Sequence, residues 1–255
     1  VAMIDSATQP ELRAILFDLG DTLIDFGTID NNAMFRLGAK EAYTYLQELG
    51  HRLPSWRRYH LRHWLAIRWH AILAVVRGRE FHSMPVLVHC CETLGIQLSP
   101  EEQLELCWRF YQPLRESSTV EPGLADMLAS FHEAGLVLAV VSNTFVPGET
   151  LDRHLREEGL IDQLPLRVYS CDVGYRKPHP AMFREALKAV GAQPEQTLFI
   201  GDTPKADIVG ANRQGMITVL KDPSGQRKGA EKADYRIKRI MDLPEVLKNY
   251  KLGGN

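Results

Sequence analysis

The sequence reads as an α/β chain: a parallel sheet with helices on both faces, interrupted by an all-helical second domain. Three observations predict this. Apolar runs of strand length recur along the chain, segments of helical pattern lie between them, and residues 26–120 contain no strand-like run at all. The first run, Ala14-Ile15-Leu16-Phe17, is continuously apolar, as in a strand buried on both faces, and it stops abruptly at Asp18-Leu19-Gly20-Asp21-Thr22. Comparable runs occupy residues 136–141, 197–200 and 216–220, with a weaker one at 166–170. Between them lie helical patterns at 123–133, 180–190 and 204–214, closed by Gly135, Gly191 and Gly215. Strands alternating with helices give a parallel sheet with right-handed crossovers, and such a sheet binds ligands beyond the carboxyl ends of its strands.

The interrupting segment reads as four helices. Asp30 caps the first, which runs to Leu49 with Ala42, Tyr45, Leu46 and Leu49 on one face and Gly50 at its end. Ser55 is placed to cap a second running towards Val76. Ser83 with Pro85 begins a third that stops at Gly95, and Ser99-Pro100-Glu101-Glu102 is a capping box with proline at the first helical position. The domains are therefore 1–25 with 121–255, and 26–120.

Composition narrows the function classes. With 255 residues and 45% hydrophobic content the chain can bury a substantial core. A net charge of -2 argues against a general affinity for nucleic acid or for an anionic membrane, which leaves a small soluble substrate as the expected partner. Residues 1–10 lack the basic start and apolar centre of a signal peptide, and no apolar run approaches the ~20 residues of a membrane span, so a cytoplasmic location is expected. Cys90, Cys91, Cys107 and Cys171 show no metal-ligand spacing and read as reduced thiols.

Four polar clusters each follow an apolar strand: Asp18 to Thr22, Ser142-Asn143-Thr144, Arg176-Lys177-Pro178, and Gly201-Asp202 through Asp207. Singly, each is explained by a turn, a cap or a solvated lysine. In this order, at strand ends facing one crevice, they read as one site. Phe17-Asp18-Leu19-Gly20-Asp21-Thr22-Leu23, Ser142-Asn143, Lys177-Pro178-His179-Pro180 and Gly201-Asp202 through Asp207 resemble the motifs of the haloacid dehalogenase superfamily. The resemblance spans residues 13–25 and roughly 121–222. It implies a Rossmann-like core, a helical cap at 26–120, and a phosphohydrolase that uses magnesium and a small phosphorylated metabolite.

The residue types suit that chemistry. A carboxylate attacking a phosphate dianion faces repulsion between two anions, so a divalent cation and a lysine are needed to cancel charge. The resemblance assigns Asp18 as the nucleophile that becomes an aspartyl phosphate. Magnesium, which favours oxygen ligands, would be held by the Asp18 and Asp202 carboxylates and the Gly20 carbonyl, with Asp207 holding a water or orienting Lys177. Ser142 and Lys177 would meet the phosphate oxygens, with Thr22 and Asn143 as further substrate contacts.

One position departs from the family's phosphatase pattern. A second aspartate usually stands two residues after the nucleophile and protonates the leaving oxygen, whereas this chain has Gly20 there and Asp21 next. Gly20 would suit a 2-haloacid dehalogenase, because halide leaves without a proton; a phospholigand-binding protein with weak turnover is a second alternative. The complete set of Asp18, Lys177, Asp202 and Asp207 favours the phosphohydrolase.

Residues 51–89 hold seven arginines, six histidines and one acidic residue, Glu80, with Trp56, Tyr59, Trp64, Trp69 and Phe81. Arg58 and Arg62, one helical turn apart, are candidate contacts for an anionic or aromatic leaving group, and a solvated basic face is the competing explanation. His60 and His63 lack a carboxylate partner for zinc and read as surface histidines.

Overall fold

A computed structural model describes residues 10–253. The expectation about a signal peptide in the opening residues falls on 1–9 and so lies outside the described residues. Six strands form the main sheet: β1 (Ala14–Phe17), β2 (Val137–Ser142), β3 (Leu166–Tyr169), β4 (Thr197–Gly201), β5 (Ile217–Lys221) and β6 (Tyr235–Ile237). Their spatial order is β3-β2-β1-β4-β5-β6, and every neighbouring pair is parallel. The chain steps outward from β1 to β3 and then returns to the other side of β1. A crevice therefore opens at the carboxyl end of β1, where the order reverses. Phe17 is in register with Val140 on one side and Ile200 on the other, which brings Asp18 level with Val141, one residue before Ser142, and with Gly201.

The alternation of side chains along β1 feeds two cores. Ile15 and Phe17 pack with Leu128, Leu138 and Ile200 on one face, while Ala14 and Leu16 pack with Met182, Phe183 and Phe199 on the other. All four residues of β1 have zero exposure, which explains why that strand reads as an unbroken apolar run. β6 escaped sequence reading because it is a short edge strand whose Arg236 faces solvent.

Four helices follow β1: α1 (Asn31–Glu48), α2 (Trp56–Arg77), α3 (Ser83–Glu92) and α4 (Pro100–Glu116). They share a core of their own built on Leu46, Tyr59, Ile67, Leu87 and Leu106. Asp30 Oδ1 accepts from the Asn32 and Ala33 amides, and the Ser99 and Glu102 box is formed in both directions. Two expected caps differ. Ser55 makes no side-chain cap bond, and α3 is capped by His82, whose Nδ1 accepts from the Met84 amide, so that Ser83 is already helical.

Two further departures matter for the site. Residues 204–214 were expected as one helix, but form a wide π turn, Pro204–Ile208, followed by a short helix, Val209–Asn212. The wider turn accompanies an inward-facing Asp207, whose carboxylate bonds to the turn's own start and to Lys177. The other departure is at Thr119–Val120, inside the stretch expected to be helical. It pairs antiparallel with Ile24–Asp25, so that the chain's entry to and exit from the four helices form one small hairpin-like ladder. Lys221, only 2% exposed, supports this ladder from below by donating to the Thr22 carbonyl at 3.0 Å and to Asp25 Oδ1 at 2.7 Å.

Candidate active site

Asp18 is the first residue past β1, its backbone amide donating to Ile200 O at 2.8 Å, so the sheet itself fixes the position of its carboxylate. Lys177 reaches it from the loop after the short helix that follows β3. The Lys177 Nζ donates to Asp18 Oδ1 at 2.6 Å and to Val141 O at 2.7 Å, and lies 2.8 Å from Asp207 Oδ1. Asn143 holds that loop on both sides: the Lys177 amide donates to its Oδ1 at 2.7 Å, and its Nδ2 donates to the Lys177 carbonyl at 3.1 Å. Asn143, expected to contact substrate, is thus bonded to protein and positions Lys177.

Asp202 follows β4 and Asp207 sits on the π turn. Asp207 Oδ2 accepts from the Thr203 amide at 2.9 Å. Gly201 is required here, because a Cβ on it would stand 2.4 Å from the Asp207 carboxyl carbon. Carboxylate oxygens of Asp18, Asp202 and Asp207 lie within 4.8 Å of one another, and all three residues are buried. Burial pushes the Asp18 carboxyl up to about 7, with Asp207 and Asp202 adding repulsion and Lys177 pulling against it. Burial and then Asp207 also raise Asp202. Burial alone would lower Lys177, but the carboxylates of Asp18 and Asp207 outweigh it and hold the ammonium charged. An all-oxygen, anion-rich cluster with a single buried lysine suits a hard divalent cation.

Sequence reasoning missed a second cation. Arg227 Nη1 donates to Asp202 Oδ2 at 2.7 Å and to the Asp202 carbonyl. Its loop is organised by buried Asp222, which accepts from the Gly225 and Arg227 amides at 2.9 and 3.0 Å and from Arg236. No motif announces it, since the contact depends on how the loop after β5 folds back over β4.

The departure at Gly20 has a clear geometry. The left-handed backbone in this turn belongs to Asp21, at φ +54°, and Gly20 is not in that region. A Cβ at Gly20 would come no nearer than 3.4 Å to the Phe26 ring, an ordinary contact. Asp21 is committed to the turn: its amide donates to Ile24 O at 2.7 Å and its Oδ1 accepts from the Phe26 amide at 3.0 Å. Glycine at 20 is therefore not demanded by the backbone.

A cavity of about 1020 Å³ joins this site to the underside of the four helices. Asp18, Gly20, Ser142, Asn143, Lys177, Asp202 and Asp207 all line it. From the helices come mainly Met34, Phe35, Trp64, Ile67, Arg68 and Phe110. Arg58, Arg62 and Thr22 are not among its lining residues. On α2 the lining positions 64, 67, 68 and 71 share one face, whereas at ~100° per residue positions 58 and 62 point about a third of a turn or more away from it. Thr22 is fully buried, with its carbonyl held by Lys221. His63 is a further correction: only 1% exposed, it bonds through Nδ1 to Tyr59 O at 2.9 Å and stacks on the Tyr59 ring at 3.9 Å.

Glu80, the lone acid of the basic segment, joins the helices to the sheet. Its side chain has no exposure, accepts from Ser170 Oγ at 3.0 Å, and lies 2.9 Å from Arg176 Nη1. The neighbouring Phe81 ring stacks on Phe145, which follows the Ser142-Asn143-Thr144 cluster.

A family model described as haloacid dehalogenase-like hydrolase matches residues 12–215. The chain belongs to the haloacid dehalogenase-like hydrolases. Among curated relatives of this hydrolase, the phosphoserine phosphatase of Thermus thermophilus is 34% identical over 148 residues, 58% of this chain and 57% of that one. The chain thus spans little more than half the length of that relative. The glyceraldehyde 3-phosphate phosphatase of Methanothermobacter thermautotrophicus is 26% identical over 92% of this chain and 98% of the other. Among solved structures, the 2-haloacid dehalogenase of Pseudomonas syringae matches with a TM-score of 0.61 at 24% identity, covering 93% of this hydrolase and 98% of that chain. A likeness at that identity speaks to the shared fold, which for this hydrolase is the parallel sheet with helices on both sides.

Proposed function

We propose that this hydrolase is a magnesium-dependent phosphatase of a small phosphomonoester, with Asp18 as nucleophile and residues 26–120 as a cap over a core of 1–25 and 121–255. The observation that carries the reading is the Lys177 ammonium, held between Asp18 and Asp207 at the end of β1. Besides those two carboxylates, the ammonium donates to the Val141 carbonyl, which aims it, and lies 5.3 Å from the centre of the Phe199 ring.

The donor set of Asp18, Asp202 and Asp207 fits a magnesium ion, with the Gly20 carbonyl as a further oxygen. The ion would supply positive charge against the phosphate and the clustered carboxylates. Asp18 attacks phosphorus as the ester P–O bond breaks and the alcohol departs, leaving an aspartyl phosphate that water then cleaves to inorganic phosphate and the free carboxylate. Lys177 neutralises charge on the equatorial oxygens, and Ser142, lining the same cavity, donates to one of them. Asn143 keeps Lys177 in place. Phosphatase names among the relatives support this class of reaction, and a small phosphorylated metabolite in the cytoplasm is the matching substrate and setting.

Asp18→Asn should abolish phosphate release from p-nitrophenyl phosphate while leaving the circular dichroism spectrum intact, and chelation of magnesium should do the same to the wild type. Turnover that persists in either case would overturn the proposal. Gly20 favours one second reading, halide displacement from a 2-haloacid; activity on a haloacid that ignores chelator would select it.

A further inference from the structure

α2 holds five arginines and no acidic residue, and its exposed side mixes those arginines with large apolar residues. Leu61, Leu65, Trp69, Ile72, Val75 and Val76 are 55%, 52%, 59%, 54%, 83% and 76% exposed. At ~100° per residue, Leu61, Leu65, Trp69, Ile72 and Val76 fall within an arc of about 80°, one stripe running most of the helix. Arg57 and Arg68 border the stripe on one side and Arg62 on the other, while Arg58 sits within its first turn. All four are exposed. The one acid in residues 51–89, Glu80, is turned inward onto Ser170 and Arg176 and offers the surface no negative charge. A large exposed apolar stripe rimmed by charge marks a contact surface.

We propose that α2 docks this protein on an anionic lipid surface, lying in the interface with the stripe at the acyl boundary and its arginines among the headgroups. Large exposed apolar side chains in one stripe, with tryptophan at its edge and arginine beside it, are features shared with helices that lie in a lipid interface. No helix among the described residues is long and apolar enough to cross a membrane, so the contact lies on the surface. A second copy of the chain is disfavoured, because pairing α2 with itself sets arginines against arginines. The chain's net charge of -2 conceals this patch, since the compensating acids lie elsewhere. Trp64, Arg68 and Ala71, on the adjoining face of α2, line the cavity, so docking would bring the cavity's lip to the lipid. The inference does not depend on the catalytic reading.

The test is co-sedimentation of the full chain with vesicles of phosphatidylcholine alone or mixed with phosphatidylserine, at rising salt. Binding is expected on the mixed vesicles only, and should weaken as salt screens the arginines. Arg62→Gln should lower partitioning ~5-fold. Leu65→Asp combined with Trp69→Asp should remove binding at every salt concentration. Both positions are exposed, so the fold should survive, and Arg62→Gln alone still decides the matter if it does not. Equal partitioning onto both vesicles, or onto neither, would overturn the proposal. So would equal affinity for poly-glutamate, or a dimer in equilibrium sedimentation that the Leu65→Asp, Trp69→Asp variant dissolves.

Discussion

At Gly20 the missing side chain and the available space coincide. Without a general acid, departure of a basic alkoxide should be slow, so the rate should depend steeply on leaving-group basicity. The backbone at Gly20 is compatible with a side chain, and a Cβ there would meet only the Phe26 ring. Gly20→Asp should accelerate alkyl phosphates by ~10²-fold or more and flatten that dependence. Kinetics across a series of aryl and alkyl phosphates checks this, and an unchanged slope in a folded mutant would show that another group supplies the proton. His154 gives a second prediction. Its ring has no exposure, bonds through Nδ1 to the Tyr111 hydroxyl at 2.9 Å, and is held down at about 4 by burial and then by Arg115. The unfolded chain takes up this proton near pH 6.5, before the folded one does, so stability is full above that pH and falls between pH 6.5 and 4. The loss from this one group is at most ~3 kcal/mol. Urea midpoints across that range should fall less steeply in His154→Gln than in the wild type.

Among elements, the short ladder of Ile24–Asp25 with Thr119–Val120 carries both connections to the four helices, and Lys221 ties it to β5. Lys221→Met keeps the apolar stem but leaves the buried Thr22 carbonyl without its donor. A loss of ~1 to 3 kcal/mol in denaturant unfolding is expected, with a fall in kcat because Thr22 belongs to the turn that carries Asp18. Unchanged stability would mean that water replaces the ammonium. α2 shows what periodicity could have told from sequence alone. Arg58 and Arg62 share a face, but it is the face of Leu65 and Trp69 and not that of Trp64 and Ile67; helical phase separates them, whereas local charge does not.

For the whole molecule, clustered carboxylates should make stability depend on the cation. Magnesium at a hundredfold excess over its dissociation constant should add ~2.7 kcal/mol, a rise of roughly 5 to 10 °C in melting temperature for a chain of this size. Asp202→Asn should lose most of that increment, because one of three converging ligands is gone. Differential scanning calorimetry with magnesium and with chelator measures it directly, and an equal rise in both proteins would place the ion elsewhere.

The sequence by itself determined five of the six sheet strands, the alternation of elements and the residues at the strand ends. Each is written in a local pattern: an apolar run for a doubly buried strand, a glycine or proline at a helix end, a polar cluster where the run stops. Asp18, Lys177, Asp202 and Asp207 were legible for the same reason. Only the tertiary structure decided that Asn143 clamps Lys177, that Asp21 serves its turn, that Glu80 joins helices to sheet, that Arg227 reaches Asp202, and that Arg68 rather than Arg58 or Arg62 meets the cavity. These are contacts between segments distant in the chain, or matters of which way a side chain points. Spacing along one strand or helix encodes neither, because both follow from how separately folded elements pack against each other.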